Sequence, residues 1–330
     1  KQANDLIVEN VSNDFVDVDF ARMAQDRDDA DPQLTGVVQR IYRSQYAMGD
    51  SEDSARGRDV SLDLGVHYVY RGPWQPYVAV IPDNYYDDPA RTWSFDLCIH
   101  PLGANHPVEV YYSEAFARPD YNPLVHGVVP ATGNLGNAEM RGLINRLQGV
   151  YACTLGRGEG EGYQGGDGMV DTLEVQADML KRYRVDMERR TVHGVSLGAI
   201  GTWHLTTLYP DQYAAAMPYI FTTDVTGGLG DNPELENLYN LPVFFSIGTL
   251  DEFTQGLQGD FIADQLEGKG NEYVYLHYLG RQHEGRIEND FLPFAEALAY
   301  TRKRVRDPAR VRYVLDPSRF SPKVPPSGAV

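Results

Sequence analysis

Residues 190–198 read RTVHGVSLG, and this stretch decides the fold. Its first four residues have the composition of a β-strand, while residues 197–208 have the length of a helix and end just before a proline. Ser196 therefore lies on a turn between a strand and a helix, with Gly194 and Gly198 close on either side. Small flanking residues permit a sharp turn that projects the serine hydroxyl above the sheet. The amino terminus of the following helix favours negative charge that develops beside that hydroxyl.

Short apolar strands alternate with helical segments from about residue 76 onward. This alternation predicts an α/β fold, in which helices cover both faces of a mostly parallel sheet. The predicted strands span residues 77–81, 93–100, 149–155, 191–195, 214–221, 243–247 and 273–279. The predicted helices span residues 171–183, 197–208 and 289–305. The first of these helices would start with a capping box at Asp171, and the last ends in a basic run that suits the helix dipole.

Changes in composition along the 330 residues predict three regions. Residues 1–72 are expected to form a β-rich amino-terminal extension, residues 73–310 the α/β domain, and residues 311–330 a carboxy-terminal tail. This length suits one domain with extensions better than two full domains.

The formal net charge of −18 disfavours nucleic acid, anionic lipid and polyanionic substrates as partners. No run of about 18 apolar residues is present, so no membrane span is expected. The sequence begins with Lys1 rather than Met, as expected of a processed chain, and an extracellular or periplasmic location is predicted with the cytoplasm as the alternative. Cys98 and Cys153 are predicted to be buried thiols, and a disulfide between neighbouring strands is the alternative.

A nucleophilic serine needs a base, and the base needs an acid that orients it. In the α/β-hydrolase fold these groups follow one another in the order Ser, Asp or Glu, His. Asp251 follows the predicted strand 243–247, and His283 lies in a glycine-flanked loop before the last predicted helix. The sequence therefore predicts Ser196 as nucleophile, His283 as general base and Asp251 as the orienting acid.

Other residues compete for two of these roles. Glu252, next to Asp251, is the alternative acid. His277 lies within a predicted strand, which indicates a packed or surface imidazole, and His204 lies on the helix after the serine. His193 precedes the turn and is expected to be buried beside it.

Two backbone amides are needed to stabilise the oxyanion of a tetrahedral intermediate. One is predicted to be the N–H of Leu197, directly after the serine. The other should come from the turn after the strand 93–99, which reads HPLG over residues 100–103. Because proline has no N–H, Leu102 is the predicted second donor and Gly103 the alternative.

Three loops are candidates for contact with substrate. The glycine-rich residues 156–168 lack the lysine of a phosphate loop and the carboxylate spacing of a calcium loop, so they are interpreted as a flexible active-site loop. In that loop Tyr163 is predicted to reach the substrate, with a structural role as the alternative. Residues 107–136 and 222–241 are long connections that follow strand ends, and they are predicted to form the walls of the site. The first carries aromatic residues that would contact substrate or, alternatively, pack the loop: Tyr111, Tyr112, Phe116 and Tyr121.

Three stretches resemble the branch of α/β hydrolases that holds poly(3-hydroxybutyrate) depolymerase-like and feruloyl-type esterases and neighbours the prolyl oligopeptidase family. They are residues 183–190, residues 194–203 with Gly-Thr-Trp after the serine turn, and residues 209–216 with Tyr-Pro-Asp after the helix. The resemblance covers about residues 76–306 and departs from the pattern at Pro101 and Ala199. It implies the α/β-hydrolase fold, the same three catalytic residues, and neither cofactor nor metal.

The function expected from these residues is the hydrolysis of carboxylic esters through an acyl-serine intermediate, with a small-molecule or polymeric ester as substrate. The alternatives are a serine peptidase or amidase of prolyl oligopeptidase type, and an acyltransferase in which an alcohol replaces water. A binding module that has lost catalysis is disfavoured, because it would not need serine, aspartate and histidine together.

Overall fold

The computed structural model describes residues 20–23, 33–45, 73–101, 149–158, 163, 166–220, 231–254, 256–283 and 302–315. The strands are β1 (Gly36–Arg43), β2 (Trp74–Ile81), β3 (Trp93–Ile99), β4 (Gly149–Thr154), β5 (Val185–Val195), β6 (Ala215–Tyr219), β7 (Val243–Gly248) and β8 (Tyr273–Tyr278). The α-helices are α1 (Phe20–Met23), α2 (Gly166–Arg182), α3 (Leu197–Leu208) and α4 (Gly256–Lys269). Short 3-10 helices span Pro210–Gln212 and Pro233–Asn240.

The eight strands form one sheet in the order β1-β2-β4-β3-β5-β6-β7-β8. Strand β2 is antiparallel to both β1 and β4, and every other pair of neighbours is parallel. The predicted mostly parallel sheet is therefore confirmed. Gly36–Arg43, which falls in the predicted extension 1–72, forms an edge strand of the same sheet; the domain boundaries stay a prediction.

One face of the sheet is covered by the three longer helices. Met179 of α2, Trp203 of α3 and Leu266 of α4 share a buried cluster with Phe95 and Phe245 of the sheet. Side chains of this size each contribute about 2 kcal/mol when buried, so this cluster is a main source of stability. Within the described residues, the helices fall short of the length and apolar content that a membrane span requires.

The helix α2 begins at Gly166, so the predicted capping box at Asp171 is wrong. Asp171 lies inside the helix and is buried, where it accepts hydrogen bonds from Thr154 Oγ1 (2.6 Å) and the Gly156 N–H (2.8 Å). The Tyr42 hydroxyl also donates to Asp171, and Arg157 lies 3.6 Å from it. A buried carboxylate requires such partners, and here they join β1, β4 and α2.

The strand β5 begins at Val185, six residues before the predicted start at 191. Residues 185–189 are only partly buried and mostly polar, so they carry no apolar run that would have indicated a strand.

Residues 302–305 have no helical structure, which contradicts the end of the predicted helix 289–305; residues 289–301 lie outside the described residues. The basic residues of this segment have partners elsewhere in the chain. Arg306 pairs with Glu188 at 3.0 Å, and Arg304 donates to the carbonyl of Asp211 at 2.7 Å. Arg312 pairs with Glu236 at 3.0 Å. Residues 302–315 are thus bound at the amino-terminal ends of the strands.

The two cysteines lie side by side on parallel strands, with Cys98 of β3 in register with Cys153 of β4. Both thiols are buried and no disulfide joins them, as predicted.

A buried ion pair lies beneath the serine turn. His193 Nδ1 is 2.6 Å from Asp96 Oδ2, and Thr191 Oγ1 donates to Asp96 Oδ1 at 2.5 Å. His193 and Asp96 are fully buried, as expected for His193. Burial opposes the charged imidazole, yet the Asp96 carboxylate and the Cys98 thiol together raise the pKa of His193 well above its ordinary value. The Asp96 carboxylate therefore favours the charged form of His193 against the cost of burying it.

Asp96→Asn should lower the free energy of unfolding by about 3 kcal/mol at pH 6, since it leaves a buried histidine without its counter-charge. The pKa of His193 is higher in the folded than in the unfolded chain, so the pair's contribution is complete below the unfolded value, roughly 6.5. This contribution is then lost as the pH rises through the pKa of His193 in the folded chain. Urea unfolding of both proteins at pH 6 and pH 9 should show the difference between them shrinking.

The matched control is Asp260→Asn, which removes the partner of His277 at 3.0 Å in a pair that is partly exposed, unlike the fully buried pair of His193 and Asp96. Exposed pairs contribute about 0.5 kcal/mol, so this change should be small at both pH values. A difference between wild type and Asp96→Asn that grows with pH would contradict the interpretation of the His193 pair.

Candidate active site

Ser196 lies at the junction of β5 and α3 in a backbone conformation that serine rarely adopts, with φ 54° and ψ −115°. Its N–H donates to the carbonyl of Tyr219 at 3.0 Å. The flanking glycines leave no room for side chains: a Cβ on Gly194 would lie 2.2 Å from the Gly198 carbonyl oxygen, and one on Gly198 would lie 1.9 Å from that of Ile99. The sharp turn predicted from the sequence is therefore present, and it holds the hydroxyl at the carboxyl edge of the sheet.

His283 lies between Ser196 and Asp251. Its Nε2 is 2.8 Å from Ser196 Oγ, and its Nδ1 is 2.8 Å from Asp251 Oδ2. With the proton on Nδ1 directed at the carboxylate, Nε2 is left to accept the serine hydroxyl proton. The Asp251 side chain is fully buried and that of His283 is 13% exposed, so the pair is shielded while the imidazole still reaches solvent.

The loop after β7 fixes the position of Asp251. Asp251 Oδ1 accepts the N–H groups of Phe253 (2.9 Å) and Thr254 (2.8 Å), while Oδ2 faces the imidazole. Both carboxylate oxygens therefore have partners, which offsets the cost of burying the charge.

The loop that carries His283 is hydrogen-bonded to the Asp251 loop. The Leu250 N–H donates to the Arg281 carbonyl at 2.8 Å, and the Gly280 N–H donates to Thr249 Oγ1 at 2.8 Å. These bonds bring an aspartate and a histidine from separate strand ends within reach of each other.

Glu252, the alternative acid, binds the backbone of His283. Its carboxylate accepts the backbone N–H of His283 at 3.2 Å. It therefore supports the loop that carries the histidine, while the ring itself faces Asp251.

Of the two predicted oxyanion donors, the structure describes one. Leu197 is the first residue of α3, where its N–H belongs to the unsatisfied first turn of the helix. Leu102 and Gly103 lie outside the described residues.

His100, to which the sequence assigned no role, is fully buried where β3 ends. Its ring nitrogens lie 2.8 Å from the carbonyl oxygens of Pro101 and Leu155, so the ring ties the turn after β3 to the end of β4. Its position next to the predicted oxyanion turn was the signal that could have found it.

Tyr163 is 1% exposed and packs edge-on against His100, with ring centroids 5.5 Å apart. Such burial favours the structural role that the sequence left open. Residues Tyr111, Tyr112, Phe116 and Tyr121 lie outside the described residues, so their contact with substrate stays a prediction.

Only the second half of the predicted wall 222–241 is described. Pro233–Asn240 packs against the carboxyl end of α3, where Asn237 donates to the Thr207 carbonyl at 2.7 Å. Since Ser196 lies at the opposite end of α3, this part of the predicted wall is wrongly placed. Its buried leucines, Leu235 and Leu238, bind it to the core instead.

Among the described residues, no group of three or more His, Cys, Asp or Glu side chains is arranged to hold a metal ion.

Comparison with known proteins rests on the structure. No protein-family model matches the sequence, and no curated protein matches it either. Solved structures do resemble it: a ferulic acid esterase is 12% identical, with a TM-score of 0.53 over 80% of this chain and 97% of its own.

Two more solved structures are similar to the same degree. An S-formylglutathione hydrolase from Agrobacterium tumefaciens is 12% identical, with a TM-score of 0.53 over 82% of this chain and 98% of its own. A fluorophosphonate-binding serine hydrolase from Staphylococcus aureus is 11% identical, with a TM-score of 0.53 over 80% of this chain and 98% of its own. Together with the strand order and the turn at Ser196, these likenesses show that the chain has the α/β-hydrolase fold.

Proposed function

We propose that the protein is a serine hydrolase that cleaves carboxylic esters through an acyl-serine intermediate. The observation that carries this proposal is the hydrogen-bond chain from Ser196 through His283 to Asp251, with 2.8 Å at both steps. The fold supports it, because similar structures include proteins named as an esterase and as hydrolases.

In the first half of the reaction, Ser196 Oγ attacks the ester carbonyl while His283 Nε2 takes the hydroxyl proton. Asp251 accepts a hydrogen bond from Nδ1 and stabilises the imidazolium that forms. The N–H of Leu197 at the amino terminus of α3 would stabilise the tetrahedral oxyanion, with the N–H of Leu102 as the second donor that the sequence predicts.

The intermediate collapses when the carbon–oxygen bond to the alcohol breaks and His283 returns its proton to the leaving oxygen. Water then takes the place of the alcohol, loses a proton to the same Nε2 and attacks the acyl-serine. The carboxylic acid leaves, and His283 returns the proton to Ser196 Oγ, so the side chains of the enzyme are regenerated. An amide substrate or an acceptor alcohol would use the same residues, and a panel of esters and anilides decides between these outcomes.

A fluorophosphonate should label Ser196, because the elbow exposes an activated hydroxyl beside its base. Ser196→Ala should abolish labelling and lower kcat for an activated ester by about 10³-fold or more, with an unchanged melting temperature. Peptide mapping of the labelled protein measures the first effect. Labelling that persists in Ser196→Ala would place the nucleophile elsewhere.

His283→Ala should be nearly as damaging as Ser196→Ala, and the double variant should be little worse than either. The two groups act as one unit, so once one is lost the other contributes little. The kcat values of the three variants on one ester provide the measurement. Losses that multiply in the double variant would show that His283 is not the partner of the serine.

Asp251→Asn and Glu252→Gln form a matched pair, because each replaces a carboxylate by an amide in the same loop. Asp251→Asn should lower kcat roughly 10³- to 10⁴-fold, since an amide no longer stabilises the imidazolium. Glu252→Gln should change kcat less than about tenfold, because its amide oxygen can still accept the His283 N–H. The reverse order of severity would assign the acid role to Glu252.

A further inference from the structure

Four large apolar side chains are exposed near the site, three on the two hydrogen-bonded loops that carry Asp251 and His283 and one at the start of α4. They are Leu250 (60% exposed), Phe253 (63%), Leu257 (69%) and Leu279 (85%), which together we call the apolar rim. Isolated exposed leucines are common on protein surfaces, whereas apolar groups gathered at one place usually mark a binding site.

The rim is held together by the same bonds that assemble the site. The Leu250 N–H donates to the Arg281 carbonyl at 2.8 Å, and the N–H directly after Leu279 donates to Thr249 Oγ1 at 2.8 Å. Leu250 and Leu279 therefore lie on adjoining turns. Leu257 follows at the start of α4, four residues beyond Phe253.

Phe253 connects the rim to the reacting atoms. Its ring meets the His283 ring edge-on, with centroids 4.8 Å apart and planes at 67°. Its N–H is bonded to Asp251 Oδ1 at 2.9 Å, so the backbone that carries the ring is fixed. Because Phe253 is exposed and contacts the imidazole, it would also contact any substrate group that the imidazole reaches.

The geometry points to the apolar rim as the binding surface for the alcohol portion of the ester, with Phe253 selecting an apolar or aromatic alcohol; this inference rests on the proposed function. His283 Nε2 must hand its proton to the leaving oxygen, so that oxygen lies within hydrogen-bond reach of the imidazole. A substituent on that oxygen is therefore the part of the substrate nearest to Phe253.

The acyl chain and the alcohol are different substituents of the tetrahedral carbon, so they leave that carbon in different directions. The acyl carbonyl carbon is bonded to Ser196 Oγ, and its oxygen faces the amides at the start of α3, on the side of β3 and β5. The rim belongs instead to the loops after β7 and β8. Alcohol and acyl groups should therefore depend on different residues.

The experiment measures kcat/KM for phenethyl acetate and for ethyl acetate, which share an acyl group and have alcohols of similar acidity, and takes the ratio of the two values. Phe253→Ala should lower this ratio roughly five- to tenfold, because a contact of several tens of Å² of apolar area is lost. Leu257→Ala, which leaves the ring contact with His283 in place, should lower it about two- to threefold. Phe253→Leu should restore part of the ratio.

Met187→Ala is the matched control, because Met187 is also an exposed apolar side chain (47%) but lies near the start of β5, away from the site. It should leave the ratio unchanged. The acyl dependence, measured with ethyl acetate and ethyl hexanoate, should be the same in Phe253→Ala as in the wild type.

Two results would overturn the inference: an unchanged alcohol ratio, whether activity is kept or lost equally on all esters, or an altered acyl dependence. Equal loss would mean that Phe253 only positions His283, and an altered acyl dependence would place the acyl group on the rim. A wild-type protein that hydrolyses none of the esters overturns the proposed function as well, and this result is distinguishable because no ratio can then be measured in any variant.

Discussion

The backbone contact between Gly198 and Ile99 is the constraint on which the site depends. A side chain at position 198 would overlap the carbonyl oxygen of Ile99, so the turn at Ser196 is seated directly against the end of β3. His100, the next residue, then binds that end to β4 through the Leu155 carbonyl. The serine is thus positioned by three neighbouring strands before the histidine and aspartate are considered.

The sequence predicts the parts of this site that depend on local pattern. Ser196 lies between two glycines at a change from strand to helix, Asp251 follows an apolar strand, and His283 lies in a glycine-flanked loop. Each pattern is short and carries its own steric or chemical reason, so the mostly parallel sheet and the meeting of these three side chains could be anticipated.

Other features depend on partners distant in the chain and could not be predicted in the same way. Asp171 is buried inside α2 rather than placed at its start, and its partners come from β1 and β4. Two of the basic residues after 302, Arg306 and Arg312, are paired with Glu188 and Glu236, which lie far away in the sequence. Phe253 gains its significance only from the ring of His283, 30 residues further along the chain.

The segment 302–315 binds at the amino-terminal ends of the strands, while Ser196 lies at their carboxyl ends. Its arginine contacts with Glu188 and Glu236 are partly exposed, and ion pairs of this kind weaken as ionic strength rises. The hydrogen bonds at the carboxyl ends of the strands involve the fully buried Asp251 side chain, so salt screens them far less. The anchoring contacts and the catalytic residues therefore lie at opposite ends of the strands, so a rise in salt concentration should weaken the former without altering the geometry at the serine.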